Sequence, residues 1–125
     1  MSKATAIKAY KNLIKEHKAL KEEMTKDYVT FVKEWQELGF TANAPLFLLS
    51  NRPKTIGDAI NNLERTLLLV ELNAHISMDI NEEEGLALFE EHTREVADAL
   101  EASKSLWATA IVDWRKYVAA IQAGK

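Results

Sequence analysis

The chain has 125 residues, 47% of them apolar and 28% charged, with a formal net charge of −3. That length suits one compact domain with a core of its own, and the composition excludes a disordered or fibrous class. Cysteine is absent, which removes disulfides and thiolate chemistry, and the apolar runs 46–49 and 67–70 fall far short of the roughly 20 residues a bilayer crossing needs. The opening Met-Ser-Lys carries no signal-peptide hydrophobic region, so the expected setting is cytoplasmic, without a membrane partner.

The first predicted helix covers about 3–38. Ile7, Ile14, Tyr28 and Trp35 form one row at seven-residue multiples, and Tyr10, His17, Met24, Phe31 and Leu38 form the interleaved row. Only Lys21 breaks the pattern. Alternating three- and four-residue steps keep one stripe on a helix and favour lengthwise packing against neighbours. Leu13, Leu20, Val29 and Val32 widen the stripe, as expected of a helix that touches two partners.

Gly39 closes this helix, in the position where a residue tolerant of positive φ commonly ends one. The connection 39–54 holds both prolines, and Asn43 and Pro45 can open a short helical turn through Leu46 to Leu49. Ser50 to Arg52 read as a stop, because Pro53 pushes Arg52 toward extended backbone. Thr55 then caps a second helix over about 56–78, with Asp58 completing a variant capping box. Ile56, Ile60, Leu63, Leu67, Val70 and Ala74 form its seam, and Leu68, Leu69 and Leu72 extend the apolar arc so far that this helix is expected to be the central, best-buried one. Asn81 and Glu84 mark the start of a third helix over about 82–122, whose seam runs from Leu86 and Phe89 through Val96, Leu100, Trp107 and Trp114 to Ile121.

The expectation is an all-α fold: an elongated up-down-up bundle of three long helices, with a short helical turn in the first connection. Short connections make sequential helices antiparallel, so the first and third run the same way. Charge agrees with that order. Residues 1–21 contain six lysines and one glutamate, and residues 79–101 contain nine acidic residues and one arginine. Parallel helices would lay Lys8, Lys11, Lys15 and Lys18 opposite Glu83, Glu90 or Glu91, Glu95 and Asp98. Trp35 and Trp114 then share a layer, with Trp107 one heptad below and Phe40 and Phe47 covering the end, as an aromatic plug.

Chemistry has little to stand on. His17, His75 and His92 show no metal-ligand spacing, and the residues three before them are Ile14, Leu72 and Phe89, so the Glu-x-x-His pairs of di-iron bundles are missing. Glu71 and His75 are one turn apart, an arrangement common on helix surfaces. Ser50, Ser77, Ser103 and Ser105 lie in no nucleophile-elbow context, and the scattered glycines build no phosphate loop. No catalytic residue, metal or cofactor is therefore expected. The Lys8, Lys11, Lys15 and Lys18 stripe suggests nucleic acid, but the net charge is negative and no arginine or exposed aromatic joins the stripe.

What this leaves is a non-enzymatic protein–protein interaction module, an adaptor, assembly factor or stoichiometric inhibitor or regulator, expected to self-associate. Its candidate contacts are Phe47 and Leu48 in the connection and Glu90, Glu91, Glu95 and Asp98 on the third helix. A pocket near Trp35, Trp107 and Trp114, with Arg115 or Lys116 for an anionic group, is the alternative from another class.

Overall fold

A computed structural model describes residues 2–39, 47–72 and 82–124, and all of its regular structure there is helical: α1 (Lys3–Glu37), α2 (Phe47–Glu71) and α3 (Glu82–Ala123). At about 1.5 Å per residue, α1 is a rod of roughly 50 Å. Ser2 starts it, its hydroxyl accepting the Thr5 N–H at 3.2 Å and its carbonyl the Ala6 N–H at 3.0 Å. Gly39 stops it, at φ 91° and with its N–H on the Gln36 carbonyl, so the expected C-terminal glycine does take the left-handed conformation.

Helix direction can be read from side-chain pairs. Across α1 and α3, Tyr10 meets His92, Asp27 meets Trp107 and Glu34 meets Trp114, at sequence offsets of 82, 80 and 80. A nearly constant offset means parallel helices. Across α1 and α2, Lys11 pairs with Glu71 and Lys18 with Glu64, so rising numbers meet falling ones and the two are antiparallel. The up-down-up order is as expected.

The lateral order differs from expectation. It is α1, and not α2, that packs against both of the other helices. Leu68, Leu69 and Leu72, whose surplus suggested a central α2, are 56%, 49% and 67% exposed. Burial instead follows α1, which covers Ala6, Tyr10, Ile14, His17, Leu20, Met24, Phe31 and Trp35 between its two neighbours. Its broad stripe had indicated two partners, although Val29 on the edge of that stripe is exposed. The lysine stripe is also partnered differently. Lys11 and Lys18 reach Glu71 at 3.4 Å and Glu64 at 2.8 Å on α2, and the α3 acids expected opposite them are not their partners. These positions lie on the α2 side of α1, whereas the α3 side carries Glu16, Asp27 and Glu34.

α2 corrects a second expectation. Its backbone is helical from Phe47 through Pro53 without the predicted stop, Arg52 included. Proline removes the bond to the Leu49 carbonyl and costs about 3 kcal/mol inside a helix. Leu49 and Ile56 lie one heptad apart on either side of Pro53, and both are buried in the same core cluster, so packing holds the two segments on one axis. Thr55 is not a cap; its hydroxyl donates to the Asn51 carbonyl one turn back, at 2.8 Å. The interruption at Lys21 also has a counterpart. Its side chain crosses α2 over Gly57, where a Cβ would lie 3.1 Å from Lys21 Nζ.

The opening of the predicted short turn through Asn43, Pro45 and Leu46, the far end of the second helix toward 78, His75 and the Asn81 cap lie outside the described residues, while positions 47–49 of that turn form the start of α2. The core falls into two clusters along α1. One gathers Met24, Phe31, Trp35, Leu49, Ile56, Trp107 and Trp114, and the other Ala6, Tyr10, Ile14, Leu63, Phe89 and Val96. His17 is buried between them, 4% exposed, and its Nδ1–H donates to the Leu13 carbonyl at 2.7 Å. It is a hydrogen-bonded core histidine.

Candidate functional site

The tryptophan end is filled by its own side chains. Phe31 packs on Trp107 and Trp114 with ring centroids 6.4 and 5.5 Å apart, and Trp35 packs on Trp114 at 5.8 Å and stacks on Tyr117 at 5.8 Å. A buried indole N–H requires an acceptor. Asp27 takes the Trp107 N–H at 2.8 Å, and Glu34 takes that of Trp114 at 3.2 Å, one heptad further along both helices. Arg115 closes the layer. It donates to the other Glu34 oxygen at 2.6 Å, and its guanidinium lies 5.6 Å from the centre of the Phe31 ring.

The opposite end is built otherwise. α2 contributes Thr66 and Val70 to a groove of about 690 Å³ whose other wall is the first turns of α3, with Leu86, Leu88, Phe89 and His92. Lys3, Glu82 and Glu83 stand around it. The volume lies within the range of about 300–1,000 Å³ typical of ligand sites, with the usual mostly apolar lining and a few polar groups.

Beneath the groove, one polar layer joins all three helices. Tyr10 of α1 is fully buried; its hydroxyl lies 3.0 Å from Nε2 of His92 on α3 and is hydrogen-bonded to Thr66 on α2. Burial raises the phenol above its ordinary value of 10.0, and the Thr66 bond opposes part of that shift. Phe89 packs on the same ring, centroids 5.0 Å apart. The arrangement suits holding three helices in register.

Leucines surround this end. Leu68, Leu69 and Leu72 on the last turns of α2, and Leu88 on α3, are each about half exposed or more. Monomeric proteins seldom leave clustered large apolar side chains in water without a use for them.

The residues singled out in the sequence do not form one site. Glu91, Glu95 and Asp98 are exposed on α3, beyond Leu88, while Glu90 is half-buried. Phe47 and Leu48 belong to the first turn of α2, and their side chains lie outside what is described. Trp35, Trp107 and Trp114 are together and buried at the other end, Arg115 is bound to Glu34, and Lys116 is exposed. Lys8 and Lys15 are exposed on the same stripe as Lys11 and Lys18, which pair with Glu71 and Glu64 of α2. The groove residues Thr66, Val70 and Leu88 were missed. The available signal was Leu88, a leucine one residue off the third helix's seam.

Among the described residues, no group of three or more His, Asp or Glu side chains could hold a metal ion, and no helix is long and apolar enough to cross a membrane. Comparison with protein-family models, curated proteins and solved structures gave no match.

Proposed function

We propose that this chain is a non-enzymatic association module that acts by taking a helix of another protein against its α2–α3 side. The observation that carries this reading is exposed Leu88 in the wall of an open apolar groove, with further exposed leucines, Leu68, Leu69 and Leu72, on the α2 turns at the same end. Helix-in-groove recognition needs such a surface: apolar anchors enter, and the polar rim sets orientation. Chemistry at this end has no comparable support, since the one imidazole there among the described residues, His92, is tied to Tyr10. A role as adaptor, assembly factor or stoichiometric regulator fits a protein whose working part is a surface.

The test compares affinity capture from the native host by the parent chain and by a Leu69→Lys/Leu88→Lys double variant of matched helicity. A protein held by the parent, released by the variant and bound again from purified components supports the reading. Identical captures by parent and variant would defeat it.

A further inference from the structure

Resting on that reading, we infer that the groove's occupant is a cationic amphipathic helix of a different protein. Charge is the guide. Glu82 and Glu83 line the groove, whereas Lys3 is the cation lining it. The acidic edge then continues along α3. Leu88, Glu95, Ala99, Ala102 and Leu106 follow one another at spacings of seven, four, three and four residues, which places them on one stripe of the helix, and all five are exposed. Glu91 and Asp98 stand beside that stripe, also exposed.

From Leu88 to Leu106 this track is about 27 Å long, or about five helical turns. Small Ala99 and Ala102 let another backbone approach closely, while Leu88 and Leu106 offer apolar contact at the two ends. A helix of about 18 residues fits, with leucine-like anchors at i, i+3 or i+4 and i+7 and lysine or arginine on the flanks. Carboxylates along the rim would speed its encounter and reject acidic helices.

α1 of a second copy does not offer the required chemistry. The exposed side of α1 carries Lys8, Lys15, Lys26 and Lys33, but the one large apolar residue exposed on that helix is Val29. The apolar face of α1 is spent on the core.

The experiment is fluorescence anisotropy at low salt with three labelled 18-residue peptides that share one leucine face and carry lysine, glutamine or glutamate elsewhere, plus a scrambled leucine–lysine peptide. The ordered lysine peptide is expected to bind at least tenfold more tightly than the glutamate and scrambled ones. It should lose at least tenfold on Leu88→Gln, and again on the triple change Glu91→Lys, Glu95→Lys and Asp98→Lys. Equal binding of the glutamate or scrambled peptide, no binding of the lysine peptide, or indifference to both variants would overturn the inference. So would a concentration-dependent dimer abolished by Leu88→Gln, which would give the groove to a second copy. Glutamine-peptide binding that is lost on Leu88→Gln, with no preference for lysine, would sink the charge argument and leave the association module standing; failure of all peptides together with an empty host capture would remove both.

Discussion

The two ends of the bundle use the same seven-residue repeat to opposite effect. At the tryptophan end the repeat supplies rings to the core and a carboxylate to each of two buried indoles, so volume and hydrogen bonds are both satisfied within the chain. At the Tyr10 end a single phenol spans three helices, and leucines are left on the outside. One end hydrogen-bonds its buried indoles across α1 and α3, and the other leaves a mostly apolar groove between α2 and α3.

The contrast can be broken most severely by Trp114→Ala. Removing a buried indole should cost about 3–5 kcal/mol in urea unfolding, a large share of the roughly 5–15 kcal/mol that holds an ordinary domain folded. Next comes Asp27→Ala, which keeps the ring but orphans the Trp107 N–H; about 1–3 kcal/mol is expected, with tryptophan fluorescence reporting the altered layer.

At the other end, Tyr10→Phe should cost only about 1 kcal/mol near neutral pH, because the ring's packing survives and one hydroxyl is lost. Its pH signature is more telling. The folded phenol titrates above 10.0, so the protection it contributes is complete below the unfolded value and is lost as pH rises through the folded one. The parent should therefore lose stability faster than Tyr10→Phe as alkali is added above about pH 10. An equal decline in both proteins would contradict the burial of this group.

Gly57→Ala should raise stability by about 0.5–1 kcal/mol, since the clash falls on the flexible end of Lys21 and alanine is the better helix former. Leu88→Gln should change stability by less than about 0.5 kcal/mol. That near-silence is the sharpest test, because a leucine that matters neither to folding nor to capture would leave the open end without a use.

The helices, their polarity and the aromatic layer were legible because seam residues recur so regularly that few other structures could use them. Trp35 and Trp114 could be placed in one layer by counting residues alone. Lateral order was not legible. Leu68, Leu69 and Leu72 look the same in sequence whether a neighbour covers them or water does, and periodicity cannot separate the two. Pro53 misled because a local rule yielded to the packing of Leu49 and Ile56, and the lysines because a charge tally for a segment ignores which flank each residue occupies. Thr66 carried no signal at all, since its part depends on Tyr10 of another helix coming within reach.

The steady offset of about 80 residues between α1 and α3 bears on how the chain is made. On the ribosome, at about 5–20 residues per second, Phe31 and Trp35 emerge seconds before the indoles that complete their layer. Meanwhile α2 can fold back on α1 as a local hairpin, shielding one flank of the greasy seam and leaving the other bare. Of the three helices α3 is thus the last able to dock, and the exposure of that flank of α1 to misassembly ends only once α3 has emerged.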